Sequence, residues 1–182
     1  MNKSAHVQKS GFTLVELLVV IAIIAILAAV VVLIINPLEL TKRGRDANRL
    51  TDLSNLQNAI NVAVQEATGA GAVAVLCGAG GSYPCNGSSN IATRVANGSG
   101  WVKVDLSSSK SVSFPTLPVD PINNVAHHYT YCANNDAWEI DAVLESDQQK
   151  GKMIDEGGNE SDKYEVGSNL SLIAGSGGSC TY

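Results

Sequence analysis

Glu16 is the one ionisable side chain between Thr13 and Ile35. A carboxylate in an apolar phase costs on the order of 2.5–3.5 kcal/mol at mid-bilayer and less near the interface. It either reaches the headgroups from a helix end or pairs with a cation, and residues 13–35 contain no Lys, Arg or His. A free α-amine on Phe12, made by cutting after Gly11, supplies such a cation. The chemistry on offer is charge pairing away from water. A second oxygen-rich group, Asp155, Glu156, Asn159, Glu160 and Asp162 around Gly157-Gly158, lacks the spacing of an EF-hand. The expected reading is a solvated loop, with calcium as the alternative ligand. His127-His128 are adjacent, so on a strand they face opposite ways and a structural role is expected. No nucleophile–base pair, phosphate-binding glycine loop or paired-carboxylate arrangement marks a catalytic centre, so the chain is read as a non-enzyme without a cofactor.

The elements that carry these residues follow from an uneven composition. Residues Leu17 to Ile35 are all Ala, Val, Leu or Ile, whereas the rest of the 182-residue chain is rich in Gly, Ser and Asn. A single long apolar run excludes a polytopic membrane protein. A net charge of -5 argues against a basic nucleic-acid binder. Phe12 to Ile35 as a helix extends roughly 36 Å, enough to cross a hydrocarbon core of about 30 Å with tilt. The run is too long for a secretory signal and no small-residue cleavage site follows it. Beyond Pro37, which either kinks the helix or opens a second one, Leu50, Leu53, Leu56, Ile60, Val64 and Ala67 recur at steps of three and four. That is an amphipathic helix whose stripe packs on a head, ending at Thr68-Gly69-Ala70-Gly71. Lys42, Arg43, Arg45 and Arg49 form a basic cluster, read as a solvated or headgroup-facing surface or as a contact for acidic heads of other copies.

The stretch Lys9-Ser10-Gly11-Phe12-Thr13-Leu14-Val15-Glu16 resembles the processing site of type IV pilins and type II secretion pseudopilins. The family pattern is a short basic leader ending in Gly, then Phe, a Glu at the fifth mature position and about twenty apolar residues. The resemblance spans residues 1–35. It implies cleavage between Gly11 and Phe12 by a prepilin peptidase, N-methylation of Phe12, and pairing of Glu16 with the Phe12 amine of a neighbouring subunit. It also implies a homo-oligomeric filament raised from the cytoplasmic membrane by pilus or secretion machinery, with the head outside the cell or in the periplasm. Two features depart from the pattern. No Pro or Gly interrupts the apolar segment before Pro37, and the positive charges after it outnumber Lys3 and Lys9 in the leader, which the positive-inside rule reads as ambiguous or inverted.

The implied organisation is a leader at 1–11, a membrane and filament-core helix at 12–35, an amphipathic helix at 36–68 and a head at 69–182. The fold class is α+β: a long helix packed on a small antiparallel sheet with long loops. In the head, residues 70–99 read as a long loop with ordered pieces near Val73–Cys77, and Trp101 to Leu106 alternates like a half-buried strand. Pro115, Pro118 and Pro121 deny regular structure. His128–Cys132 and Ala137–Leu144, joined by Ala133–Asp136, read as a hairpin. Tyr164–Val166 and Leu170–Leu172 read as edge pieces. Leu117-Pro118-Val119-Asp120-Pro121, Tyr129-Thr130-Tyr131 and Trp138-Glu139-Ile140 resemble the heads of the same family more loosely, without its Trp-Gly turn. Cys77, Cys85, Cys132 and Cys180 make an even count in an exported chain, which favours two disulfides. Three connectivities satisfy the count, and Cys77–Cys85 with Cys132–Cys180 is the preferred one. Within the filament reading the roles are major pilin, secretion pseudopilin, or minor competence pilin binding DNA. Losing the leader leaves 17 acidic against 10 basic residues, which weighs against DNA. A single-pass anchored binding domain that never polymerises is the reading from another class.

Overall fold

The computed structural model describes residues 11–67, 75–78, 81–109, 111, 114–174 and 178–180. Residues 1–10 of the expected leader at 1–11 and the expected helix stop at Thr68-Gly69-Ala70-Gly71 lie outside them. The chain forms two compact units, Met1–Leu40 and Thr41–Tyr182.

In the first unit, α1 spans Leu14–Ile35. Its sequence has no Gly or Pro, and the backbone satisfies its own hydrogen bonds without help from water. Thr13 opens it from an extended conformation and Asn36 ends it with φ 44°, a left-handed position that Asn tolerates. Pro37 then sits at the first residue of α2 (Pro37–Glu66), where its missing N–H costs nothing. Of the two expectations for Pro37, the helix-opening one holds. Asn36 Oδ1 and its carbonyl both accept from the Glu39 amide.

The second unit holds a four-stranded antiparallel sheet in the order β1-β2-β3-β4: Cys85–Ser88, Thr130–Asn134, Ala137–Ala142 and Tyr164–Gly167. A short α3, Lys152–Asp155, precedes β4. The hairpin is present with a shorter connection than expected: Asn134 pairs with Ala137, and Asn135 takes φ 57° in the tight turn. In cross-strand register, Tyr131, Ala133, Trp138, Ile140, Ala142 and Val166 share one face. They form the main core with Leu53, Leu56, Ala59, Ile60 and Ala63 of α2. The buried stripe is thus rotated from the one read off the sequence, towards Ala59 and Ala63 and away from Val64 and Ala67, which are half-buried.

Three expectations are corrected. Trp101 to Leu106 is not a strand; among the described residues its ladder is one isolated bridge, Asn97 to Asp105. The alternation is real, since Trp101, Val102, Val104 and Leu106 are buried. The backbone is diverted because the Asp105 carboxylate accepts from the amides and hydroxyls of Ser107 and Ser108, closing a local turn instead of a ladder. Second, β1 lies inside the stretch read as loop. Its Gly87 marks the reason: the Trp101 backbone passes so close that any side chain there would collide with the Trp101 carbonyl. Third, Leu170–Leu172 forms no strand; next to it Ile173 bridges Cys180 in parallel.

Trp101 centres the core. Its indole N–H donates to the Pro118 carbonyl at 2.9 Å, and its ring meets Tyr129 at 5.8 Å between centroids.

Candidate assembly site at the start of the apolar helix

Gly11 and Phe12 precede the helix in non-helical backbone, and the Phe12 ring is 82% exposed. A side chain at Gly11 would meet nothing within 4 Å among the described residues. The next turn is organised by Thr13 and Glu16 as a capping box. The Thr13 amide and hydroxyl both donate to Glu16 Oε2, at 2.8 and 2.7 Å, and the Glu16 amide donates back to Thr13 Oγ1 at 3.3 Å. Both bonds to the carboxylate fall on Oε2, so Oε1 keeps its capacity for another donor. A negative charge in the first helical turn also complements the helix dipole. The T-x-x-E spacing was readable in the sequence, and Thr13 is the site residue that the charge argument alone passed over.

The helix that follows is apolar on every side, and its large side chains are mostly half or more exposed. Leu14–Val32 is long and apolar enough to cross a membrane, with a mean hydropathy of 3.2. An all-round apolar helix demands lipid or other apolar helices as its surroundings. Residues 7–32 match the family model of the prokaryotic N-terminal methylation motif. The chain carries the signature of type IV pilins and pseudopilins. No curated protein and no solved structure matches it.

In this pilin-like chain the basic cluster after the apolar helix has a use the sequence did not reveal. Arg49 is fully buried. Its Nε and Nη2 grip both oxygens of Asp120 at 2.6 and 2.9 Å, and its Nη1 reaches Asp46 at 2.8 Å and Glu145 at 2.6 Å. Arg45 adds a two-pronged contact to Glu145 at 2.7 and 2.9 Å. Asp46 in turn accepts from the amides of Glu145 and Ser146, and Asp120 from those of Ile122 and Asn123. Arg49, fully buried, and Arg45, partly exposed, are therefore both engaged by their own head. Hydrogen bonds from Arg45, with Arg49 adding to them against burial, hold Glu145 down to about 2. Burial opposes ionisation of Asp46 and Asp120, but their hydrogen bonds outweigh it and both lie below the ordinary carboxylate range.

The opposite sheet face carries Thr130, Cys132, Glu139, Asp141 and Glu165 in register, all buried. Alternating polar residues on an antiparallel sheet commonly face solvent. Instead the C-terminal segment covers part of it: Glu139 Oε2 accepts from the amides of Leu172 and Ile173 at 2.7 and 2.9 Å. The Cys132–Cys180 disulfide joins Leu172 and Ile173 in a second apolar cluster, and Cys77–Cys85 closes the other pair. Of the acidic loop, Glu156 is half-buried beside Glu165, while Asp155 and Asp162 are exposed. With its side-chain nitrogen turned towards these acceptors, the orientation its surroundings favour, Asn159 donates to the Leu170 carbonyl and to Glu165 Oε1. Among the described residues no group of three or more His, Cys, Asp or Glu converges as a metal site.

Two results are expected here. Both tryptophans are buried in the head, so their fluorescence reports its unfolding. In the chain-entropy account, Cys132→Ser with Cys180→Ser costs about 4 kcal/mol for a 48-residue separation, against about 2–3 kcal/mol for the 8-residue Cys77–Cys85 loop. Urea midpoints of the two double variants give the order. The second result concerns pH. Burial pushes Asp141 up to about 7, although the Lys163 ammonium 3.0 Å away pulls the other way. Burial likewise raises Glu139 and Glu165. The folded state keeps these protons where the unfolded chain has lost them, so stability falls as pH rises from about 4 through 7. Glu145 acts the other way: its contribution is present above its ordinary pKa and is lost as pH falls towards about 2. The head is expected to be most stable between those windows, in mildly acidic solution, and a pH series of urea midpoints checks it.

Proposed function

We propose that the chain is a structural, non-enzymatic subunit of a type IV pilus or pseudopilus. It is cut after Gly11 by a prepilin peptidase, methylated on Phe12 and held in the cytoplasmic membrane by α1 with its head outside. It assembles into a helical filament in which Glu16 of one copy meets the Phe12 amine of the next. The observation that carries this reading is Glu16, with one carboxylate oxygen uncommitted, at the start of a helix apolar on all sides. A desolvated ion is costly alone and compensated when paired, so the pair sets the register at which copies stack. Moving α1 from lipid to neighbouring helices exchanges one apolar surrounding for another. Assembly therefore draws on a membrane machine for its energy, and the pilus or secretion apparatus is the partner. The acidic balance of the mature chain speaks against a nucleic-acid partner, and calcium at the 155–162 loop has no support from a converged ligand set among the described residues.

The test is co-expression with a prepilin peptidase and mass spectrometry of the purified N-terminus. The expected product begins at Phe12 and carries one added methyl group. Electron microscopy of sheared surface material then separates a surface fibre from a periplasmic pseudopilus. A chain that keeps Met1 and stays monomeric in the membrane refutes the proposal and leaves the anchored binding domain.

A further inference from the structure

Lys163 immediately precedes β4 and Asp141 lies in β3, and the two meet at 3.0 Å between Nζ and Oδ2. Asp141 is 1% exposed, and its other oxygen, Oδ1, is buried without a partner among the described residues. Directly across from Asp141 in the β3–β4 register stands Glu165, also buried. One lysine and two carboxyl groups thus share a patch of sheet removed from water. Other ion pairs of the head differ in chemistry. Lys150 and Asp147 are 3.7 Å apart and both exposed, so both keep their charges in water. Arg49 is buried among carboxylates, but a guanidinium stays protonated and is no nucleophile.

We propose that Lys163 and Asp141 condense to an intramolecular amide, a covalent cross-link between β3 and the entry to β4. Burial disfavours charge on all three groups and raises Asp141 and Glu165, while the Asp141 carboxylate holds the Lys163 proton on in the resting ion pair. Passing that proton to Asp141 gives an amine and a carboxyl group with the same proton count, a neutral pair suited to a desolvated site. The Nζ lone pair then needs to move only from the oxygen it touches to the carbon bonded to it. The Nζ–Cγ bond forms, and one Cγ–O bond breaks. The leaving hydroxyl departs as water with a proton from Glu165, and the surplus proton of the nitrogen returns to Glu165. No oxidant, reductant or activated co-reactant is consumed. Amides in open water favour hydrolysis, but a held pair has an effective molarity of roughly 10⁵–10⁸ M, which reverses that preference. Asp141 and Lys163 both line a cavity flanked by the exposed Ile91 and Val125, which gives the released water an exit. In the joined chain Asp141 no longer titrates, and the loss of stability at rising pH rests on Glu139 and Glu165. The cross-link lies wholly in the head, and the proposal goes beyond the filament role without depending on it.

Intact mass spectrometry of the full chain purified in detergent tests this, with Lys163→Arg prepared the same way. Once the mass of the substitution is allowed for, the wild-type chain is expected to be lighter by one water. After reduction and trypsin digestion, the peptide 111–150 stays joined to a peptide beginning at residue 153 and uncut after Lys163. Lys163→Arg keeps a cation for Asp141 but does not condense; it yields separate peptides and retains the unfolding transition in tryptophan fluorescence. Glu165→Gln keeps the side-chain shape without a carboxyl proton, and leaves a mixture of joined and unjoined chains. A folded wild-type chain with no water lost overturns the proposal, as does a water loss that persists in Lys163→Arg. Complete joining in Glu165→Gln overturns the role given to Glu165.

Discussion

Glu16→Val leaves the chain inserted in the membrane and removes it from filaments. The substitution makes α1 uniformly apolar, so insertion is if anything favoured. What is lost is the one charge able to hold the Phe12 amine of a neighbour in an apolar phase. Removing one partner of a desolvated pair costs about 3–5 kcal/mol, because the other charge is left uncompensated. Multiplied along a filament, where every subunit repeats the defect, this takes the sheared fraction below detection while the membrane fraction is unchanged in an immunoblot. Glu16→Gln sharpens the result. Glutamine preserves the capping box with Thr13 but carries no charge, so it separates helix capping from ion pairing. Normal filament yield from Glu16→Gln would show that charge is not what matters at this position.

Arg49→Met unfolds the head at markedly lower denaturant. Arg49 is fully buried and is hydrogen-bonded to Asp46, Asp120 and Glu145 at once. Methionine fills much of the volume, so the loss is electrostatic: three carboxylates face one another, with Arg45 as the remaining guanidinium against Glu145. Breaking a buried pair from one side costs about 3–5 kcal/mol, a large part of a small domain's total stability. Arg49→Lys recovers only part of it, since a single ammonium cannot grip both Asp120 oxygens while reaching Asp46 and Glu145. Urea titration of tryptophan fluorescence measures both variants. Equal midpoints for wild type and Arg49→Met would mean that the network contributes nothing to the fold.

The same network shows why part of the head was illegible in the sequence. Arg49 and Asp120 are separated by 71 positions, and neither sits in a local motif that marks it as a partner of the other. Asp120 stands in a proline-rich stretch that loosely resembles the family's heads, and Arg49 is one of four clustered basic residues. The hairpin was legible because two alternating runs flank a short polar turn, Asn135-Asp136 in the structure, all of it local. Strand β1 was not, because Cys85-Asn86-Gly87-Ser88 has little strand propensity and is held by pairing with β2. Trp101 to Leu106 failed in the other direction. It has a strand's periodicity, and an aspartate turn takes its backbone elsewhere.

At the N-terminus the sequence by itself determined the essentials. A glycine, an aromatic, a threonine cap, one acid and an unbroken apolar run are adjacent in the chain, and their meaning depends on spacing and on the energetics of charge in hydrocarbon. In the head the tertiary structure decided. Which basic residues are spent internally, which carboxylates are buried under the C-terminal segment and where a cavity remains all depend on segments far apart in sequence meeting across a sheet. Local periodicity reports only whether a side chain points to one face or the other. It carries no information about what the fold later lays over that face.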